Sequence, residues 1–171
     1  MAIKSNIVYS LTFSRQMLNG IVETLNSTDE WLAQACPKAN HPLWVIGHLA
    51  LADNMFAARI QGQEPEVPEG WNELFWFGSE VYSDPSKYPP VDEVLAYFHE
   101  RRENLMKIVE ETDESVFLGP PPSEGMFAEA PNMGALLLFT SFHEGIHAGQ
   151  ATVAHRSLGR EPMMKPQPAA S

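Results

Sequence analysis

Cysteine is almost missing from this chain of 171 residues: Cys36 stands alone. That excludes an internal disulfide and suits a reducing, cytoplasmic setting. Cys36 precedes Pro37 with no basic or His-rich sequence around it, so it is not read as a catalytic thiol. Long apolar runs are missing too. No stretch nears the ~18 residues a bilayer span requires. The opening MAIKSNIVYSLTFSRQ has neither an uninterrupted apolar core nor a small-residue cleavage site, so no secretory signal is expected. Basic residues are few, 11 Lys and Arg against 22 Asp and Glu, for a formal charge of −11. Such a chain repels phosphate backbones, which argues against nucleic acid as a partner. There is no convincing strand alternation and no internal repeat.

What the chain does have is helical periodicity. With 44% hydrophobic residues it is long enough to bury one good core. In residues 3–25 the apolar positions Ile7, Leu11, Met17 or Leu18, Ile21, Val22 and Leu25 recur at helical spacing. Ser27-x-x-Glu30 resembles a capping box for a short helix that Pro37 ends. A second long helix is expected from about His41, with Asn40 or His41 as cap, Pro42 in its first turn and Gly62 as its stop. A third takes residues 91–112, with Val91, Val94, Leu95, Phe98, Leu105, Ile108 and Val109 on one stripe. A fourth, apolar enough to be central, runs from about Asn132 to His155, with Gly159 beyond it. The fold class is therefore all-α, a four-helix bundle in one domain over residues 1–160, with a proline-rich tail over 161–171. Residues 63–90 form a long link holding Trp71, Phe75, Trp76 and Phe77. These aromatics read as a plug for one end of the core, with a functional loop as the alternative.

The fourth helix carries His143-Glu144-Gly145-Ile146-His147, which matches the H-E-x-x-H pattern of zinc proteases. The spacing puts both imidazoles on one helix face, one turn apart, where they can share a metal. The protease reading fails on the third ligand. The longer form of that motif needs Gly at 150 and His at 153, where this chain has Gln150 and Val153. Only 24 residues follow His147, with Glu161 their sole Glu and no Asp. His155 lies ~12 Å further along the helix, too far to join the same ion. The third ligand must come from upstream. His41, beside a proline at a helix start, suits capping or solvent. His99, followed by Glu100, Arg101 and Arg102, suits the surface. His48 shares a helix face with Trp44, Val45, Leu51, Ala52 and Met55, and is the preferred third ligand.

Three neutral imidazoles with an open fourth position make a catalytic type of metal site. They suit Zn, Ni, Fe or Cu over Ca or Mg; Zn or Ni lead, with Fe or Mn behind. Glu144 is the candidate catalytic group, able to orient a ligand or take a proton from bound water, and equally a plain polar neighbour. Gln150, on the face of His147, is the candidate for binding near the site.

HPLWVIGHLALADNMF and FHEGIHAGQATVAHRSLG resemble the DinB superfamily, which includes the YfiT-like proteins. Its pattern is one His within the second helix and a His-x-x-x-His-x-Gly-Gln run late in the fourth, met here by His48, His143, His147, Gly149 and Gln150. The resemblance covers roughly residues 5–160. It implies a four-helix bundle with a divalent metal on the three His, often a homodimer. It also implies a small-molecule substrate, and in some relatives a low-molecular-weight thiol. Characterised relatives include thiol-dependent S-transferases and a mycothiol-dependent maleylpyruvate isomerase; others are described as metal-dependent hydrolases. Relatives often carry Arg after the second His of the pair, where this chain has Ala148.

Overall fold

Each long amphipathic stretch folds as a helix. A computed structural model describes residues 3–122 and 127–162. Its helices are α1 (Ile3–Val22), α2 (Thr28–Trp31), α3 (Pro42–Gln61), α4 (Trp71–Phe75), α5 (Val91–Glu111), α6 (Glu114–Leu118) and α7 (Met133–Ser157), with no strand among the described residues. Residues 163–171 of the expected tail lie outside the described residues. None of the described helices is long and apolar enough to cross a membrane. Two short helices lie between the long ones: α4 inside the expected long link, and α6 after α5.

The caps follow local chemistry. His41, not Asn40, caps α3: its Nδ1 accepts the backbone N–H of Trp44 at 3.0 Å. Gly62 ends α3 at φ 67°, the left-handed region that favours glycine. Ser27 accepts from Glu30 N as expected, and the Glu30 carboxylate reaches back to the backbone N–H groups of both Asn26 and Ser27. On α1 the ambiguity at 17 and 18 is resolved: Leu18 is buried and Met17 is exposed.

The four long helices close a ring in which α1 packs on α7, α7 on α3, α3 on α5 and α5 on α1. Their apolar residues form two clusters, one around Leu18, Trp44, Leu49, Phe98 and Ala151, the other around Ile7, Phe56, Leu105 and Leu137. Cluster order along each helix gives the topology. α1 and α7 run from the second cluster to the first, α3 and α5 from the first to the second. The bundle is thus up-down-down-up. Because α3 and α5 are parallel, the chain leaving α3 must travel back the ~30 Å length of a 20-residue helix before α5 can start. That return explains the long link over 63–90.

Between the two apolar clusters lies a layer of buried charge with one member from each long helix: Arg15 on α1, Asp53 on α3, Arg102 on α5 and Glu144 on α7. Arg15 pairs with Asp53 at 2.8 Å and with Glu144 at 2.5 Å. Arg102 pairs with Asp53 at 2.9 Å and with Glu144 at 3.0 Å. Ser14 donates its hydroxyl to Glu144. Two cations and two anions cancel, and the surplus guanidinium N–H groups go to the carbonyls of Leu11 and Phe98. Removing one member strands a charge in the core, which costs far more than losing an exposed pair. Asp53→Ala should destabilise the protein by about 3–5 kcal/mol. Lys107→Ala, which breaks the exposed pair with Glu111, should cost no more than about 1 kcal/mol. Urea midpoints measured for both variants check the contrast.

Candidate metal centre

His48, His143 and His147 are brought together at the meeting of α3 and α7. The His48 Nε2 lies 3.1 Å from His143 Nε2, and His147 Nε2 lies 3.0 Å from the same atom. Each outer imidazole is fixed from behind. His48 Nδ1 stands 2.8 Å from the carbonyl oxygen of Phe75. A carbonyl only accepts, so Nδ1 carries the proton and Nε2 presents its lone pair. His147 Nδ1 stands 2.9 Å from Gln150 Oε1, which also accepts from Asn40 Nδ2 at 3.1 Å. The same logic turns the His147 lone pair inward. Two lone pairs therefore face His143 Nε2, whose single proton at most could satisfy one of them. A cation bonded to all three removes the conflict. Separations near 3 Å are what two nitrogens of one coordination shell have when metal–nitrogen bonds are ~2.0–2.1 Å. The donor set fits a transition metal.

The surroundings hold the rings still and neutral. Trp44 stacks on His48 at 4.7 Å between ring centres, 10° from parallel, and Phe139 lies nearly parallel to His143 at 6.0 Å. Burial, with the neighbouring imidazoles adding to it, pushes His48 down to about 3 and His143 down to about 4. Burial also lowers His147. All three are therefore unprotonated at neutral pH, the state in which imidazole binds metal.

The other histidines stand apart from the cluster. His41 caps α3 and its Nε2 faces the Tyr82 carbonyl at 3.1 Å. His99 is exposed, and His155 is buried elsewhere on α7. Gln150 supports His147 from behind. Glu144 lies in the charged layer, with both oxygens bonded to Arg15, Arg102 and Ser14 and neither to a histidine. Asn40 and the Phe75 carbonyl escaped sequence reasoning. A backbone carbonyl leaves no residue-type signal, and Asn40 drew attention only as a cap.

The long link turns out to be a strap laid back along α3. Glu66 O accepts from Asn54 Nδ2, Phe75 O meets His48, Ser79 Oγ accepts from Trp44 Nε1, and Tyr82 O meets His41. The contacts step backward along α3 as the strap moves forward. Its aromatics divide: Trp71 and Phe75 plug the core, while Trp76 and Phe77 are exposed. Phe75 can lie on α3 because position 47 is Gly, whose missing Cβ would collide with the ring. Trp76 and Phe77 border a cavity of about 400 Å³ that His48 and His143 also line. The aromatic stretch thus serves both readings, plug and site wall.

Fold and site together define an all-helical bundle with a three-histidine centre open to a cavity. A family model described as the DinB superfamily matches residues 10–151. The chain belongs to the DinB superfamily. A search of curated proteins finds no match.

Purified protein should carry about one transition-metal ion per chain. His48→Ala, His143→Ala and His147→Ala should each lose it, and His99→Ala and His155→Ala should keep it, by elemental analysis after gel filtration. The acid-shifted imidazoles give a second expectation. At pH 5.5, three ordinary imidazoles with a pKa of about 6.5 would be mostly protonated and would release two to three protons on binding zinc. Here His48 and His143 are already neutral, so binding should release fewer than about one proton. Calorimetry in buffers of different ionisation enthalpy counts them.

Proposed function

We propose that this protein is a metal-dependent enzyme for small molecules. His48, His143 and His147 hold a divalent transition ion, zinc or nickel before iron or manganese, and the reaction is transfer of a low-molecular-weight thiol before hydrolysis. One observation carries the reading: three histidines converge on one point, and two of them, His48 and His143, line an apolar cavity large enough for a small organic substrate. An ion bound there lowers the pKa of a coordinated thiol or water and makes it a nucleophile at neutral pH.

The chain's own residues do the rest. The Phe75 carbonyl and Gln150 hold the outer imidazoles with their lone pairs inward. Trp76, Phe77 and Phe139 give the cavity apolar walls. Glu144 is assigned to holding the helices together, since its oxygens are already engaged. Among the described residues no carboxylate lines the cavity. A lining without a carboxylate among the described residues favours a nucleophile that ionises easily. A thiol, with a pKa of about 8.5, needs less help than water. Membership of the superfamily supports the same order.

The same lining, with no carboxylate among the described residues, also favours a second reading, a metal-binding bundle without catalysis that works as a dimer. Exposed Tyr9 and Phe13 on α1 and Phe142, Ile146 and Val153 on α7 offer apolar surface for a second copy.

Zinc- or nickel-loaded protein should join low-molecular-weight thiols to apolar electrophiles. Activity should vanish in chelator-stripped protein and in His48→Ala. Glu144→Gln should lower stability while its folded fraction keeps metal and turnover. Absence of turnover across the panel with metal fully retained, and a mass of two chains by light scattering, would favour the binding bundle.

A further inference from the structure

Among the described residues, one cationic side chain lines the cavity beside the three histidines, and its N–H groups are not all met. Arg59 lies three turns after His48 on α3, along the wall that also presents Ala52, Met55 and Phe56. Its Nη1 is buried with no hydrogen-bond partner. No ion pair among the described residues includes Arg59. Its guanidinium carbon stands 5.5 Å from the centre of the Phe127 ring. At that distance the ring is a neighbour within cation–π range, and it offers Nη1 no hydrogen-bond acceptor. Arginine cannot shed its proton to escape burial. A buried, unmet N–H on a permanent cation calls for an acceptor, and an anion answers it best.

We propose that Arg59 is the anchor for the ligand's anionic end. The cavity takes a molecule with an apolar body and a single carboxylate, the carboxylate on Arg59 and the body among Phe56, Trp76 and Phe139. This rests on the proposed function for which end reacts: the end remote from the carboxylate faces the imidazoles. Cα–Cβ bonds of a helix tilt toward its N-terminus, here toward His48, and Arg59 and His48 line the same cavity, so one molecule in it can meet both. One guanidinium suits one negative charge. A doubly charged phosphate ester would leave a charge uncompensated against apolar walls. The chain's formal charge of −11 supplies no general pull for anions, so selection falls to this group.

Calorimetric titration with phenylbutyrate and phenylbutanol, on zinc-loaded and chelator-stripped protein, tests the anchor. Wild type should bind the acid at least about tenfold more tightly than the alcohol in both forms. Arg59→Gln should weaken the acid by at least about tenfold, leave the alcohol within about twofold, and keep its metal. Arg59→Lys should recover part of the preference. Equal binding of acid and alcohol by wild type, binding of neither, or a preference that survives Arg59→Gln would each overturn the proposal. So would a preference that disappears in His143→Ala but not in Arg59→Gln, since the carboxylate would then belong at the histidines. Failure of the metal reading shows separately, as an acid preference intact in protein that takes up no metal.

Discussion

The structure depends on a charged layer to which each long helix contributes one member. Arg15, Asp53, Arg102 and Glu144 meet in the centre of the bundle, and no helix can slide or turn without leaving one of them unpaired. Apolar packing alone is tolerant of such shifts, because many registers bury similar area. Buried ion pairs contribute little to net stability against a well-packed apolar alternative, but they penalise every misalignment. The layer divides the core into two apolar clusters and fixes the level of α3 against α7.

That fixed level is what the metal centre uses. Asp53 follows His48 by little more than a turn of α3, and Glu144 is the residue after His143. The same two arginines that hold Asp53 and Glu144 therefore hold the two helices where His48 and His143 bring their nitrogens to 3.1 Å. Glu144 is the central residue of the H-E-x-x-H pattern. In this bundle it points about a quarter-turn away from His143 and serves the core, while the histidines on either side converge with His48.

Much of this was legible from residue order. The helical stripes gave the four long helices, and the i, i+4 pair with a lone histidine on an apolar face gave the cluster. The charged layer was not read, though its signal was present. Arg102 falls in the middle of the Val94–Phe98–Leu105–Val109 stripe, and Arg15 between Leu11 and Leu18. Arg102 passed for surface because it follows Glu100 and Arg101, which are exposed or partly so. The parallel pairing of α3 and α5 could not be read, because stripes fix a buried face and not a direction. The strap's path was illegible for a related reason. Three of its four contacts with α3, including both that meet a histidine, are made by carbonyls, which every residue possesses.

That last property separates two kinds of inheritance. His48 is held by the backbone at position 75, and a carbonyl persists whatever side chain the position carries, provided the ring still seats on Gly47. The next two residues, Trp76 and Phe77, face the cavity with their side chains. Sequence drift along the strap can therefore reshape what the cavity admits while the ligand geometry at His48 stays constant. A lineage built on this bundle can diversify its substrates one side chain at a time, without passing through forms that have lost their metal.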